Sequence, residues 1–301
     1  VLVFLSKPAI LPVAKPKQGI LYATYTSVVC GPRRIAMIAT KITSALLLLL
    51  NSIPQASQSS SIAYERVRYR HILAHVITVN LQDPDVKVTV ALAAGGAGKD
   101  ESFKSIVTRT RPNVAITGTF FDTKSLKPTG DIALFGTIVH SGVIGSALTV
   151  DQNNNAQIMP LAVGRRTKWQ GYETVLCAGP TLVADGRIAI ALAHEGFRRS
   201  LLAPTRRTAV GITNQGKLVL VCVNRSATLY DLAKLLIQLN VQDAVLLDGG
   251  SSTALYYEGK YLAVPGRTLT NCLVVYASTQ AYTAAKAYLA PRELLAKAET
   301  R

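Results

Sequence analysis

Beyond residue 60 the chain is written in short apolar runs separated by Gly, Pro, Asn and Asp, a rhythm of strands and turns. Positions 71–81 and 86–93 alternate apolar and polar around Asp83-Pro84-Asp85, which predicts a β-hairpin. A short helix is expected over 101–109, leading into a strand at 113–116. Runs 137–144 and 147–160 are punctuated by Ser141-Gly142 and by the Asp151-Gln152-Asn153-Asn154-Asn155 stretch, so antiparallel pairs are predicted there. One helix is clear, at 229–240. Thr228 caps it, Asp231 stands three residues on, and Leu229, Leu232, Ala233, Leu236 and Leu239 form one apolar face. Such a face needs a sheet to pack against, and the helix feeds a strand at 241–247 that ends on Asp248. The stretch 281–301 is rich in Ala and Lys with Pro291 inside it, and reads as a helical tail. No internal repeat occurs. The predicted fold class is α/β in the α+β sense: one domain with a mixed, largely antiparallel β-sheet core and a few packed helices.

With 49% hydrophobic residues among 301, the chain has the material for a sizeable core, and a disordered chain is excluded. Residues 1–56 hold six Lys or Arg and no acid, so the remainder carries 27 basic against 17 acidic residues. A basic domain concentrates anionic partners such as phosphorylated glycans, envelope polymers or anionic lipid, although solubility alone also accounts for a charge excess. Nucleic acid is the competing partner class, but no nucleic-acid motif is present and none is expected to bind.

Arg33-Arg34 and Lys41 precede the apolar run 42–50, which is followed by the polar stretch Ser57-Gln58-Ser59-Ser60-Ser61. Charged start, short apolar middle and small-residue exit form the pattern of a secretory signal, assigned to 37–60. A bilayer core of roughly 30 Å needs about 20 apolar residues, so this run predicts no stable membrane span; an uncleaved tethering helix is the alternative. Met37 sits where an initiator belongs, so residues 1–36 are expected either to stand outside the natural protein or to form a long n-region. The expected division is then 37–60 signal, 61–277 catalytic domain and 278–301 helical tail, in a protein exported to a periplasmic, cell-envelope or extracellular site.

The most informative stretch is Leu246-Leu247-Asp248-Gly249-Gly250-Ser251-Ser252-Thr253-Ala254-Leu255, where an apolar strand delivers a carboxylate into a loop of glycines and hydroxyls. Glycines there permit positive φ and close approach to a ligand, and successive N–H groups form a nest for phosphate oxygens. A tight turn whose Asp and Ser cap local backbone is the other reading of the same residues. Ala115-Ile116-Thr117-Gly118-Thr119-Phe120-Phe121-Asp122 repeats the logic, and Arg206-Arg207-Thr208-Ala209-Val210-Gly211-Ile212 places guanidinium groups at the start of another strand.

Together with 179–186 and Pro265-Gly266-Arg267-Thr268-Leu269-Thr270-Asn271, these blocks resemble, in order and spacing, the phosphodiester glycosidase family over residues 65–277. Two departures are visible. The family usually reads Asn-Gly before its Phe-Phe pair where this chain has Thr117-Gly118, and its glycine run often has three members where this chain has Gly249-Gly250. The resemblance implies hydrolysis of a sugar 1-phosphodiester between the anomeric carbon and the phosphate oxygen. Its substrate is a sugar phosphodiester or other anionic glycan. A phosphate leaving group needs less acid catalysis than an ordinary glycoside, and glycosidases generally manage the oxocarbenium-like transition state with two carboxylates. Asp248 and Asp122 are the candidates for these, with Arg207 joining them in the catalytic set. Arg207 and Arg267 are expected to clamp phosphate oxygens bidentately. Gly118, Thr119, Thr208, Gly249, Gly250, Ser251, Ser252, Thr253 and Arg267 complete the expected substrate-binding set. The scheme requires neither metal nor cofactor. A non-catalytic envelope glycan-binding domain of the same fold is the alternative, motivated by Thr117.

Other constellations carry less. Cys177, Cys222 and Cys272 are an odd number after the signal; a Cys177–Cys272 disulfide is open, with free buried thiols preferred. No Cys or His spacing fits zinc. Gly95-Gly96-Ala97-Gly98-Lys99 has the wrong spacing for a phosphate loop, with Asp100 where Ser or Thr belongs. Ser251 and Ser252 have no downstream His and no nucleophile elbow, which argues against a serine hydrolase. His71, His75, His140 and His194 read as ordinary surface or core histidines.

Overall fold

The computed structural model describes residues 60–161, 163–164 and 167–299, so the expected signal and everything before it lie outside the described residues. Three sheets build the fold, and every named strand pair in them is antiparallel. The first joins β1 (Ile62–Tyr69), β2 (Ile72–Val79), β13 (Leu218–Ala227), β12 (Thr205–Thr213), β14 (Val241–Leu247), β10 (Thr181–Ala184) and β11 (Arg187–Ile188), in that spatial order. The second runs β16 (Lys260–Ala263), β15 (Leu255–Tyr257), β4 (Val114–Thr117), β17 (Asn271–Tyr276) and β3 (Lys87–Leu92). The third runs β6 (Thr137–His140), β5 (Ile132–Leu134), β9 (Tyr172–Cys177), β7 (Ala147–Asp151) and β8 (Ala156–Met159).

Alternation along each strand explains how the sheets meet. One face of all three enters a shared core: Ile77, Val210, Leu220, Val245 and Leu247 from the first, Val90, Ile116 and Leu273 from the second, Leu134, Leu148 and Leu176 from the third. Their outer faces are covered separately. Helix α2 (Leu229–Gln238) lays Leu229, Leu232, Ala233, Leu235 and Leu236 on Ala209, Ala244 and Leu246 of the first sheet. Its start is the expected capping box, with the Thr228 hydroxyl accepting from the Asp231 N–H at 3.0 Å and donating to the Asp231 carboxylate at 2.7 Å. Helix α1 (Phe103–Thr110), capped by Ser102, and α3 (Thr279–Ala285) cover the second sheet, while Trp169 covers the third. After Pro291 the tail forms α4 (Arg292–Glu299), as the helical reading of the tail anticipates.

The predicted hairpin across Asp83-Pro84-Asp85 is corrected. The turn exists, but β2 already has β1 and β13 on its two hydrogen-bonding edges, so β3 crosses the core and pairs with β17 in the second sheet. The hairpin partner of β2 is β1, joined through Arg70 at φ 51°. Among the described residues no helix is long and apolar enough to cross a membrane. Cys177, Cys222 and Cys272 are all free and buried, each in a hydrophobic cluster, and burial raises the pKa of each thiol.

Candidate functional site

The site grows from the end of β14. Leu246 and Leu247 are fully packed, and the strand stops at Asp248 because the next residues make a 3-10 turn, Gly250–Ser252. Gly250 adopts φ 58°, which an L side chain resists. The main chain of Asp248 is held on both sides: its N–H donates to the Gly118 carbonyl at 3.0 Å, and the Thr208 hydroxyl donates to its carbonyl. Gly118 itself is fixed by a close approach, since a Cβ there would lie 1.9 Å from Asn271 Oδ1. That oxygen accepts the Thr119 N–H at 2.9 Å, so Asn271 joins the 118–119 segment to β17.

The Asp248 carboxyl is only partly open to solvent. Its Oδ1 accepts the Gly249 N–H at 2.8 Å. Burial pushes its pKa up to about 6, against the opposing pull of the Ser252 hydroxyl, the Gly249 N–H and the positive charge of Arg267. A carboxylate titrating near 6 at the end of a buried strand is poised to change charge near neutrality, as catalytic carboxylates are. Arg267 is brought here by its own turn, in which the Gly266 N–H donates to Ser251 O at 2.8 Å. Its guanidinium lies over the Phe121 ring at 4.5 Å. Thus Asp248, Gly118, Thr119, Thr208, Gly249, Gly250, Ser251, Ser252 and Arg267 occupy one neighbourhood.

Within it, several expected binding groups are already engaged. Thr208 holds the Asp248 backbone, and the Ser252 and Thr253 N–H groups close the turn on the Gly249 and Gly250 carbonyls. Among the described residues this leaves the Gly250 and Ser251 N–H groups as the free donors of the expected nest. The Thr119 and Thr253 hydroxyls are buried with no hydrogen-bond partner among the described residues, a costly arrangement in the packing beneath the site.

The structure places two of the expected catalytic residues apart from this neighbourhood. Arg207 was expected to clamp phosphate, but successive side chains in a strand face opposite ways, and its neighbour Arg206 takes the loop-facing position. Arg206 Nε donates to Gly250 O at 2.9 Å and its Nη1 to Val264 O at 3.4 Å, stapling the glycine loop to the Arg267 turn. A register shift between Thr205 and Arg207 accompanies the turn of Arg207 inward. There it donates to Ala227 O at 3.2 Å, Leu201 O at 2.7 Å and Ala203 O at 2.5 Å. Burial lowers its pKa to about 10, which leaves it charged at neutral pH. Asp122, expected as the second carboxylate, is exposed and serves its own turn. Its Oδ1 accepts from the Lys124 N–H, the Ser125 N–H and the Ser125 hydroxyl at 3.1, 2.7 and 2.9 Å, and these bonds hold its pKa below the usual carboxylate range.

A carboxylate outside the expected set, Glu195, is buried. It accepts from Ser146 Oγ at 2.5 Å, Thr181 Oγ1 at 2.7 Å and the Thr181 N–H at 3.0 Å. Two residues on, Phe197 packs on Phe120 with ring centroids 5.6 Å apart, so Glu195 braces the wall that carries the 118–121 segment. No local pattern marks it, because its three donors come from β10 and the chain before β7. Glu195→Gln is expected to lower stability by about 1–3 kcal/mol, read as a shift in the urea midpoint, because one charge-strengthened acceptor becomes a misplaced amide donor.

Comparison with known proteins places this geometry. No curated protein sequence matches the chain. Among solved structures, a hypothetical protein from Synechocystis superposes with a TM-score of 0.63 at 16% identity, over 71% of this chain; the match spans 62% of that protein's length. The catalytic domain of zebrafish N-acetylglucosamine-1-phosphodiester alpha-N-acetylglucosaminidase, in a form auto-inhibited by its pro-peptide, superposes with a TM-score of 0.60 at 22% identity, covering 73% of this chain and 85% of that one. These likenesses show a shared fold. The family model for phosphodiester glycosidases matches residues 110–276, a span that runs from the end of α1 through the Asp248 loop and the Arg267 turn to the last residue of β17. The chain belongs to the phosphodiester glycosidase family.

Proposed function

We propose that this protein hydrolyses a sugar 1-phosphodiester, breaking the bond between the anomeric carbon and the phosphate oxygen. The observation that carries the reading is the desolvated Asp248 carboxylate set beside a glycine turn and Arg267. In its ionised form Asp248 stabilises the positive charge that develops at the anomeric carbon. As water adds to the anomeric carbon and gives up a proton to bulk solvent, the electron pair of the breaking bond goes to the phosphate oxygen, where Arg267 and the free N–H groups of Gly250 and Ser251 receive the added negative charge. Because the departing group is a phosphate monoester, it leaves without full protonation, and one well-placed carboxylate meets most of the demand. Export of the domain, taken as residues 61–277 followed by the helical tail, belongs to the same proposal and rests on the signal pattern of 37–60.

The test is incubation of the purified domain with an aryl-phospho-sugar diester, following release of the free sugar. Turnover supports the reading, whereas saturable binding without turnover across several sugars replaces it with glycan binding. Arg267→Lys preserves the charge but loses the planar fork. It is expected to raise KM for the diester and the inhibition constant of the sugar phosphate together, by about 10- to 100-fold, the equivalent of a charge-assisted contact worth roughly 1.5–3 kcal/mol. A change in sugar preference with phosphate inhibition intact would reverse the orientation of substrate in the site.

A further inference from the structure

On the side of Arg267 formed by the start of α1 and the end of β16 lies a cavity of about 590 Å³, within the range of small-molecule sites. Its walls are Phe103, Tyr261, Val264 and Pro265, with Lys104 and Arg267 as its two cations. Phe103 and Tyr261 stand edge to face with centroids 5.9 Å apart, which fixes the aromatic wall. Val264 is 65% exposed and Tyr261 39%, so this wall presents apolar surface to water. At its edge Ser102 Oγ accepts the Ser105 N–H and Thr268 Oγ1 donates to Asp100, so the Ser102 and Tyr261 hydroxyls are the neutral polar groups the wall itself offers. No Asp, Glu, Asn or Gln lines the cavity.

We infer that this cavity receives the group esterified to the far side of the phosphate, and that this group is an apolar alcohol rather than a second sugar. The inference rests on Arg267 as the phosphate-binding residue of the proposed function. Arg267 belongs to both places: its charge acts on Asp248, and its side chain forms part of the cavity wall. A phosphate held there has the anomeric centre toward Asp248 and its other ester oxygen toward Phe103, Tyr261 and Val264. Lys104 adds a second positive charge to the same wall and favours the anionic end of the ligand. Against the Phe103, Val264 and Pro265 surface a sugar gains few hydrogen-bond partners for its hydroxyls, whereas a hydrocarbon chain removes apolar surface from water on both sides. The Arg206 staple from Gly250 O to Val264 O keeps the cavity wall in register with the glycine loop.

The experiment compares methyl phosphate and hexyl phosphate as ligands of the whole domain by calorimetry, alongside turnover of methyl and hexyl phosphodiesters of one sugar. The parent is expected to bind hexyl phosphate about tenfold or more tighter than methyl phosphate. Val264→Asn and Tyr261→Ser, both at exposed positions, are each expected to reduce that ratio about threefold or more while leaving methyl phosphate affinity within about twofold. Equal binding of the two phosphates, no binding of either, or a ratio that survives both substitutions overturns the inference. Diester turnover without a chain-length preference overturns this cavity assignment alone. A chain-length preference lost in the variants, with no diester turnover, supports the cavity and removes the hydrolytic reading.

Discussion

Asp248→Asn is expected to lower kcat/KM for a sugar 1-phosphodiester by about two to four orders of magnitude while leaving the fold intact, because the change is nearly isosteric and removes only the charge. The parent's activity should rise with pH through about 6, where the carboxyl ionises, and fall about tenfold per unit below it. Stability runs the other way. The folded-state pKa of about 6 lies above the ordinary 3.8, so between those values the folded protein holds a proton that the unfolded chain releases. Stability due to the protonated carboxyl is present below that window and is lost as pH rises through about 6. The Asn variant has no such loss, so its melting temperature relative to the parent should increase from pH 4 to pH 7. Steady-state kinetics and thermal melts at several pH values measure both effects. Activity within about threefold of the parent would remove Asp248 from the chemistry.

The second large effect falls on stability. Arg207→Met is expected to destabilise the protein by about 3–5 kcal/mol, because the Ala227, Leu201 and Ala203 carbonyls lose their shared donor inside the protein. Urea unfolding reads the loss directly. Arg207→Lys should recover only part of it, since one ammonium cannot reproduce three hydrogen bonds directed by a planar fork. Any fall in activity should follow the fraction folded and leave phosphate inhibition unchanged in the folded protein. A variant of parental stability that no longer responds to phosphate would return Arg207 to the substrate.

The two arginines show where sequence reasoning meets its limit. The Arg206-Arg207 pair stands at a strand start beside the glycine loop, but a strand sends neighbours to opposite faces. Which of the two faces the glycine turn depends on the register of β12 against β13 and β14, and that register is set by pairing across the sheet. Asp122 stands apart for a related reason: a strand-to-loop carboxylate followed three residues later by Ser125 reads equally as a ligand and as the cap of its own turn, and here the local hydrogen bonds engage it.

What the sequence determined by itself was whatever depends on near neighbours. The capping box and apolar stripe of α2, the strand that delivers Asp248 and the glycine turn after it follow from contiguous residues, and the family resemblance from the order of several such blocks. Tertiary structure alone decided the rest. It sent β2 and β3 to different sheets because both edges of β2 were taken, and it buried Glu195 among donors from β10 and the chain before β7. It also joined Asn271 to Gly118 across 153 positions of sequence and placed the Phe103–Tyr261 wall beside Arg267. Each of these is a contact between residues distant in the chain, fixed by which strand edges and apolar faces remain free once the sheets assemble, and no local period records that choice.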